Sequence, residues 1–526
     1  MRIFSRAVTP PIVCFLALQA LIFPRMMNFE MRRDEQLYAP PARLLSEYQL
    51  YSDLFYNHTP GSAWLFFGVM TGLGSDHLLL AARLGVFAAW AAFGIALIAI
   101  TFKLTRSTAM TCLAVILIMA NEALLNQTGM TATNNLLPLA SVYVGLGLFM
   151  LGVAEGQGRP MLVAASGLVL SIAAVFKASA FVFIPIVAVA SVYLPRELFL
   201  TQRLGRVVAP LVVGGLIGAL PVFIYFSTNP ERFLAHVIGF HTGPHVAYWT
   251  AQIAGDDGAV AVSMGSKAKL AYSIWFGAAN LLFIFISIFL TLSLIKANGA
   301  SDTLRRLLSG RILVAWLCLL AAGVMSFVPT PGFPQYFALP LACAPILLAL
   351  LYGELSRESQ SDVQPVLITA SIVIVLAALP RLGQYTSRLA SPDTWTVVRT
   401  HEAGKLIAQR LAEANLSGKI ATLAPIYPLE GGLSVYPELA TGQFAYRTAE
   451  FTNAYLRSFY RTTSPHQVGA LLAADPPAGV LVGFESTLEE PLVRFAEKNG
   501  YRRVEDIGLT DRYGRAVLYI RSIPDP

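Results

Sequence analysis

The sequence "MRIFSRAVTPPIVCFLALQALIF", residues 1–23, combines a basic start with a long apolar body. A helix that crosses a bilayer needs about 20 mostly apolar residues, and this stretch provides them. A secretory signal sequence begins in the same way, but no clear small-x-small cleavage site follows here. We therefore predict an uncleaved first transmembrane helix.

The composition extends this prediction to most of the chain. Of 526 residues, 55% are hydrophobic and only 13% are charged, and the mean hydropathy is +0.60. A soluble globular protein is far less apolar. Between Ser387 and the end of the sequence, fifteen Lys and Arg balance fifteen Asp and Glu, so the net charge of +7 lies in the preceding part. That charge is expected to face the cytoplasm or phosphate groups, and it requires no nucleic-acid partner.

Long apolar stretches recur throughout residues 1–384, which we predict to be the membrane domain. The eleven predicted transmembrane helices lie near 8–24, 78–102, 108–125, 135–153, 160–176, 178–194, 207–227, 270–295, 311–328, 335–352 and 364–380. With a cytoplasmic N-terminus, most short cytoplasmic connections are basic, as the positive-inside rule expects. Two long loops, 25–77 and 227–269, and the C-terminus are then external.

Two segments of the first external loop are predicted to lie in the membrane interface rather than to span the bilayer. Residues 61–74, "GSAWLFFGVMTGLG", are apolar but short for a span and follow a Pro-Gly break. In residues 40–51, "PPARLLSEYQLY", the apolar side chains fall on one face of a helix, which predicts an amphipathic interfacial helix.

Residues 385–526 change to the pattern of a soluble α/β domain. Helices are predicted at 399–414, 449–460, 466–474 and 489–499, and strands in "KIATLAP", "AGVLVGF" and "AVLYIRS". Residues 424–447 are rich in Tyr, Pro and Gly and suit a loop that covers the active face, with ordinary packing as the alternative. The predicted fold class is a polytopic α-helical membrane protein with a C-terminal extracytoplasmic α/β domain.

Several function classes lack their sequence signatures. The four cysteines all lie in apolar runs and show neither a disulfide framework nor zinc spacing. There is no Walker loop and no dinucleotide fingerprint, which argues against ATP hydrolysis and a nicotinamide cofactor.

The stretch "MRRDEQLYAPP", residues 31–41, places Asp34 and Glu35 where the first helix leaves the membrane. A carboxylate at this boundary can take a proton from a soluble acceptor hydroxyl that reacts with a lipid-bound donor. A solvated helix end, compensated by Arg32 and Arg33, is the alternative interpretation.

The order of the segments resembles the GT-C superfamily of membrane glycosyltransferases, in particular the bacterial branch related to lipid A aminoarabinose transferase and protein O-mannosyltransferases. The resemblance rests on "RRDEQLY", "YNHTPGSAWLFFGVMTGLG", "ARLGVFAAWAAFGIAL", "SIAAVFKASAFVFIPI" and "SFVPTPGFPQYFALPLACAPILLAL", and it spans about Arg6 to Leu351. It implies a polyprenyl-phosphate sugar donor and an inverting transfer to a lipid, glycan or protein hydroxyl. The implied location is the periplasmic face of a bacterial inner membrane, among membrane lipids.

The resemblance also implies roles for individual residues. Asp34, with Glu35, would be the catalytic carboxylate. A phosphate leaving group needs positive charge or hydrogen-bond donors more than protonation, and Lys177 is the best cation candidate. The other implied phosphate contacts are His58, Arg83, His241 and His245, and the implied substrate contacts are Tyr38, Asn134, Asn135 and Tyr336. A snorkelling lysine, solvated loop histidines and headgroup contact by Arg83 are the alternatives.

One position departs from the family pattern. Where many relatives carry a second aspartate, this chain has Asn134 and Asn135, which bring no charge to hold a divalent cation. We therefore expect no obligatory metal or other cofactor, and a divalent cation is the alternative that is not favoured. A transporter or flippase for a lipid-linked substrate is the rival function, although internal repeats are not evident. An inactive scaffold relative is the third possibility.

Overall fold

A computed structural model of the chain describes residues 2–154, 156, 158–251, 260–504 and 507–522. Each of the eleven predicted spans contains at least one helix. These helices are Arg2–Asn28, Leu78–Thr105, Thr108–Met119, Leu136–Gly152, Pro160–Phe176, Phe183–Tyr193, Ala209–Gly218 with Leu220–Thr228, Met264–Trp275 with Ala278–Asn298, Gly310–Phe327, Ala344–Gly353 and Arg357–Gly383.

Not all of these helices are long enough to cross a bilayer alone. Within the described residues, seven helical stretches have both the length and the apolar composition of a span: Ala7–Asn28, Leu78–Thr105, Leu200–Gly218, Ala278–Asn298, Gly310–Phe327, Pro334–Gly353 and Arg357–Gly383. Five further apolar helices have 10–17 residues. The count of eleven crossings therefore stays a prediction.

Two predicted spans are interrupted by asparagines that bind each other. The predicted span 108–125 ends as a helix at Met119, and the predicted span 270–295 breaks after Trp275. Asn121 Nδ2 donates to Asn280 Oδ1 at 2.7 Å, and Asn280 Nδ2 donates to the Ile274 carbonyl at 2.8 Å. Both side chains are buried, so each polar group needs a partner, and the pair joins the two helix ends.

Small residues bring two membrane helices into close contact. Helix Pro160–Phe176 packs against helix Ala209–Gly218 through Gly167 and Gly214. A Cβ atom at Gly214 would clash with the Ala164 carbonyl oxygen, and one at Gly167 with that of Leu211. Glycine is required here because the two backbones touch.

The first loop only partly follows its prediction. A 13-residue helix, Gly61–Leu73, forms where the short apolar segment predicted one. The predicted amphipathic helix in residues 40–51 is wrong, since only Pro41–Leu44 is helical. Tyr51 has a φ of 70°, and its amide donates to the Leu54 carbonyl, which closes a turn where the helix would continue. Its side chain is buried within the protein instead of facing lipid.

The C-terminal domain has a four-stranded mixed sheet. The strands are β1 (Ile420–Thr422), β2 (Gly479–Val482), β3 (Arg502–Val504) and β4 (Val517–Ile520), in the order β1-β2-β4-β3. Strands β1 and β2 are parallel, and β4 is antiparallel to both of its neighbours. The main helices are Thr396–Glu413, Val468–Ala474 and Glu490–Lys498. The helix predicted at 449–460 is reduced to short turns, including Ala454–Arg457.

The C-terminal domain packs directly on the membrane domain. Glu430 accepts from the backbone amides of Leu78 and Leu79 at 3.0 and 2.7 Å, which caps the N-terminus of helix Leu78–Thr105. Arg33, in the first loop, forms an ion pair of 2.9 Å with Glu485. Residues 424–447 consequently lie against the first loop, where they can contribute to a site.

Candidate active site

A cavity of about 450 Å³ lies between the first loop, the loop at 237–246 and the residues that precede helix Ala344–Gly353. Its polar lining includes His58, Asn135, Lys177, His241, His245, Gln335 and Tyr336. Its apolar lining includes Val237, Ile238, Val246, Met325, Val328 and Leu339. A recess of about 40 Å³ contains Asp34, Tyr38 and Phe444 and shares with the cavity the residues Asn57, His58, Asn135, His241, His245, Gln335 and Tyr336.

Asp34 projects into the recess between two amide side chains. Gln127 Nε2 donates to Asp34 Oδ2 at 2.7 Å, and Gln335 Nε2 donates to the same oxygen at 3.3 Å. Burial raises the pKa of the Asp34 carboxyl, while the Gln127 hydrogen bond and the charges of Arg447 and Lys177 lower it. A carboxylate with a raised pKa is a stronger proton acceptor than a solvated one.

Lys177 lines the adjoining cavity, just after helix Pro160–Phe176. Its Nζ donates to Asn135 Oδ1 at 2.7 Å and lies 4.8 Å from the centre of the Tyr336 ring. Burial lowers the pKa of Lys177 to about 8, and the negative charge of Asp34 counteracts this effect. Because Asn135 is neutral, the ammonium charge remains available to an anion in the cavity.

Three histidines belong to the lining of both the cavity and the recess. His58 Nε2 lies 2.6 Å from the Tyr38 hydroxyl, and the two rings stack with centroids 4.8 Å apart. The ring centroids of His58 and His241 are 5.2 Å apart, and those of His241 and His245 are 5.7 Å apart. Burial is the main cause that lowers the pKa of all three rings, so they are neutral at neutral pH.

His241 binds the backbone through one ring nitrogen. Its Nε2 lies 2.7 Å from the Asn57 carbonyl oxygen, which only accepts, so Nε2 carries the proton of the neutral ring. The remaining nitrogen, Nδ1, is then an acceptor. His241 does line the cavity, and its predicted contact with the donor phosphate stays a prediction.

The C-terminal domain contributes to the same place. Phe444 lines the recess. The guanidinium of Arg447 lies 4.8 Å from the Trp249 ring, 5.3 Å from the Tyr248 ring and 5.0 Å from the Phe444 ring. Its charge acts on Asp34 as described above. The domain therefore closes one side of the site.

Comparisons with known proteins were made for the whole chain. No family model matches it, and no curated protein matches it. The crystal structure of ArnT from Cupriavidus metallidurans bound to undecaprenyl phosphate is 15% identical, with a TM-score of 0.57 and 97% of each chain covered. The apo structure is 14% identical, with a TM-score of 0.58 and 98% of each chain covered. The Archaeoglobus fulgidus oligosaccharyltransferase complex with Zn and sulfate is 11% identical, covers 90% of this chain and 68% of its own, and has a TM-score of 0.45.

The chain has the ArnT fold. The match extends through the C-terminal region as well as the membrane helices. The predicted fold class, a polytopic α-helical fold with a C-terminal α/β domain, is thereby confirmed, while the number of eleven crossings stays a prediction.

Within this ArnT fold, Glu35 and Arg83 lie outside the cavity lining, and their predicted roles are corrected. Both side chains are fully buried and form a bidentate ion pair. Arg83 Nη1 also donates to the carbonyls of Met26 and Phe29, and the Ala132 amide donates to Glu35 Oε1. With these partners, Glu35 and Arg83 have a structural role rather than catalysis or phosphate contact.

Asn134 is also corrected. It is fully buried, does not line the cavity, and its Nδ2 donates to the Phe176 carbonyl at 3.2 Å. It therefore holds the turn that positions Lys177. The neighbouring Asn135 does line the cavity, as do His58, His245 and Tyr336, while Tyr38 lines the recess.

Sequence reasoning missed Gln127, Gln335, Asn57 and Arg447. Gln335 directly precedes Tyr336 in the aromatic, proline-rich stretch "SFVPTPGFPQYF". Arg447 is the last residue of the Tyr-, Pro- and Gly-rich segment 424–447. A polar side chain inside an otherwise apolar, aromatic segment was the available signal for Gln335. For Arg447 no local pattern distinguishes it from the other basic residues of the domain.

Proposed function

We propose that the protein is an integral membrane glycosyltransferase that moves a sugar from a polyprenyl-phosphate donor to an acceptor hydroxyl. The observation that carries the proposal is the placement of Asp34 in a recess and of Lys177 in the adjoining cavity, two spaces that share seven lining residues. A proton acceptor and a cation on the two sides of one substrate site are what this transfer requires.

The cavity suits the donor in both polarity and charge. Its apolar wall of Val237, Ile238 and Val328 fits the first isoprene units, and the polar wall lies opposite. Lys177 supplies the charge for the phosphate, with His58 and His245 beside it. His241 and Asn135 provide groups for sugar hydroxyls.

The proposed step is a single inverting displacement. Asp34 removes the proton of the acceptor hydroxyl while the hydroxyl oxygen attacks the anomeric carbon from the face opposite the phosphate. The bond between the anomeric carbon and the phosphate oxygen breaks, and polyprenyl phosphate leaves as an anion stabilised by Lys177. The products are the glycosylated acceptor, polyprenyl phosphate and the proton held by Asp34.

The acceptor is proposed to be a hydroxyl of a cell-envelope lipid, glycan or protein. It reaches Asp34 from the side formed by Phe444 and Arg447. The site would face the periplasm of a bacterial inner membrane, which follows from the predicted cytoplasmic N-terminus and the basic cytoplasmic connections.

The test uses purified wild type, Asp34→Asn and, as a control, Glu47→Gln, an exposed carboxylate of the same loop. Each is incubated in detergent with labelled polyprenyl-phosphate sugars and membrane extract. We expect Asp34→Asn to bind the donor but to lose roughly 10²–10⁴-fold in transfer rate, because general base catalysis contributes about that factor. Equal transfer by Asp34→Asn and wild type would refute the proposed base. A flippase would bind the same lipid without releasing free polyprenyl phosphate, so the released lipid is measured too.

A further inference from the structure

A second cluster of ligand-type side chains lies outside the cavity, where the two domains meet. Asp76 and His77 immediately precede helix Leu78–Thr105, and His401 lies on helix Thr396–Glu413 of the C-terminal domain. One ligand atom of each residue lies within 4.8 Å of the others. Residues 324 positions apart are thus brought together by the docking of the C-terminal domain.

The hydrogen bonds of His401 determine which ring nitrogen is free. His401 Nδ1 lies 2.8 Å from Glu430 Oε2, and Glu430 also accepts from two backbone amides. Both oxygens of Glu430 accept from backbone amides, so Glu430 is the acceptor in this contact and His401 Nδ1 is the donor. His401 Nε2 then carries a lone pair in the neutral ring.

That lone pair has no hydrogen-bond partner, although His401 is fully buried. The nearest carboxylate oxygen, Asp76 Oδ2, is 3.9 Å away. The His77 ring stacks on His401 with centroids 3.5 Å apart, and its Nδ1 is also buried without a partner. Buried polar atoms without partners are costly, and two unpartnered ring nitrogens at one place indicate room for a bound ion.

The set of atoms matches the preference of Zn²⁺. Two imidazole nitrogens and one carboxylate oxygen are ordinary zinc ligands, with a water as the fourth. Ligand atoms around zinc are about 3.3 Å apart, given bonds of about 2.0–2.2 Å. A zinc ion must lie near the plane of each imidazole, so its binding requires the partly exposed His77 ring to turn out of its stack on His401 and the 66% exposed Asp76 to rotate inward.

The surrounding charges also favour a cation. Glu430 behind His401 reproduces the carboxylate-histidine-zinc arrangement that orients metal-bound histidines. Asp76 adds a second negative charge, and the lysine that acts on it, Lys405, is exposed. Exposure screens Lys405 more strongly than the buried Glu430.

We propose that Asp76, His77 and His401 bind one Zn²⁺ that fastens the C-terminal domain to the N-terminal end of helix Leu78–Thr105. The ion is structural, since none of the three residues lines the cavity or the recess. It stabilises the docking that brings Phe444 and Arg447 to the candidate active site. This zinc site does not depend on the proposed transfer reaction.

The experiment measures zinc content and thermal stability of the full chain in detergent. Purified wild type, loaded with ZnCl₂ and freed of excess, is expected to contain about one zinc per chain by mass spectrometry of the metal. His77→Gln and Asp76→Asn are expected to lose most of it. His466→Gln, an exposed histidine of the same domain, is the matched control and should retain it.

Melting temperatures separate metal loss from misfolding. Zinc should raise the melting temperature of wild type and His466→Gln, and a chelator should reverse the rise, because a ligand of the native state stabilises it. His77→Gln should melt like chelated wild type with or without zinc. The test uses His77→Gln and Asp76→Asn rather than His401→Gln, because His401→Gln would also disturb the contact with Glu430. Zinc-free wild type after loading, or full zinc in His77→Gln, would overturn the proposal.

A further variant excludes the histidines of the cavity as the source of bound zinc. His245→Gln should keep the full zinc content and the full thermal shift. If zinc disappears from His245→Gln and stays in His77→Gln, the ion belongs to the cavity and the proposal is wrong. Donor binding without zinc can be measured on the same samples, so the failure of one proposal is distinguishable from the failure of the other.

Discussion

Glu35 and Arg83 form a fully buried bidentate ion pair, with Nε–Oε1 and Nη2–Oε2 distances of 2.9 Å each. Glu35 directly follows Asp34, and Arg83 ties it to the carbonyls at the end of the first helix. The pair therefore fixes the backbone from which Asp34 projects toward Gln127 and Gln335. The two adjacent carboxylates therefore differ in role, because Glu35 is buried in an ion pair whereas Asp34 lines the recess.

The first prediction concerns the stability that this pair controls. Glu35→Gln leaves the Arg83 charge buried without its counter-ion, and we expect a loss of about 3–5 kcal/mol in the free energy of unfolding. The double variant Glu35→Gln/Arg83→Met should lose less than the sum of the two single variants. Denaturant unfolding in detergent measures both. Additive losses would show that the two side chains do not act as a pair.

The second prediction concerns the pH dependence of transfer. Asp34 acts only when ionised, so the rate should fall as the pH drops through the raised pKa of Asp34, above the usual range for aspartate. Lys177 acts only when protonated, so the rate should fall again as the pH rises through about 8. The profile is expected to be bell-shaped. Lys177→Arg should shift the alkaline limb upward, because a guanidinium stays charged there. An unchanged alkaline limb would exclude Lys177 as its source.

The third prediction concerns donor affinity. A charge-assisted hydrogen bond contributes about 1.5–3 kcal/mol, so Lys177→Ala should weaken binding of polyprenyl phosphate by roughly 10–100-fold. Lys269→Ala removes an exposed lysine and serves as the control. Binding of labelled lipid to the purified proteins gives both dissociation constants. If Lys177→Ala and Lys269→Ala bind polyprenyl phosphate with the same dissociation constant, Lys177 does not contact the phosphate.

The fourth prediction concerns the contribution of the C-terminal domain. The charge of Arg447 lowers the pKa of Asp34, so Arg447→Gln should shift the acid limb of the rate profile to higher pH. Arg494→Gln, an exposed arginine of the same domain, should leave the limb in place. Circular dichroism checks that both variants keep the helical content of wild type. If the acid limbs of Arg447→Gln and wild type coincide, Arg447 does not act on Asp34.

Much of the architecture was predictable because it depends on local composition. Bilayer-length apolar stretches predicted where helices form, and the change to a soluble α/β pattern near residue 385 predicted strands β1, β2 and β4. The interruptions at Met119 and Trp275 were not predictable, since they follow from the contact between Asn121 and Asn280, which are far apart in sequence. The turn at Tyr51 depends in the same way on tertiary burial of its side chain.

The candidate site divides along the same line. By itself, the sequence determined which residue types were available: an acidic pair after the first helix, a lysine at the end of an apolar helix and a loop rich in histidine. Only the tertiary structure decided that Asp34 faces the recess while Glu35 is taken up by Arg83, that Asn135 rather than Asn134 lines the cavity, and that Arg447 joins the site. The physical reason is that the exposure, protonation and charge pairing of a side chain depend on its neighbours in space. The pattern of hydropathy along the chain does not specify those neighbours.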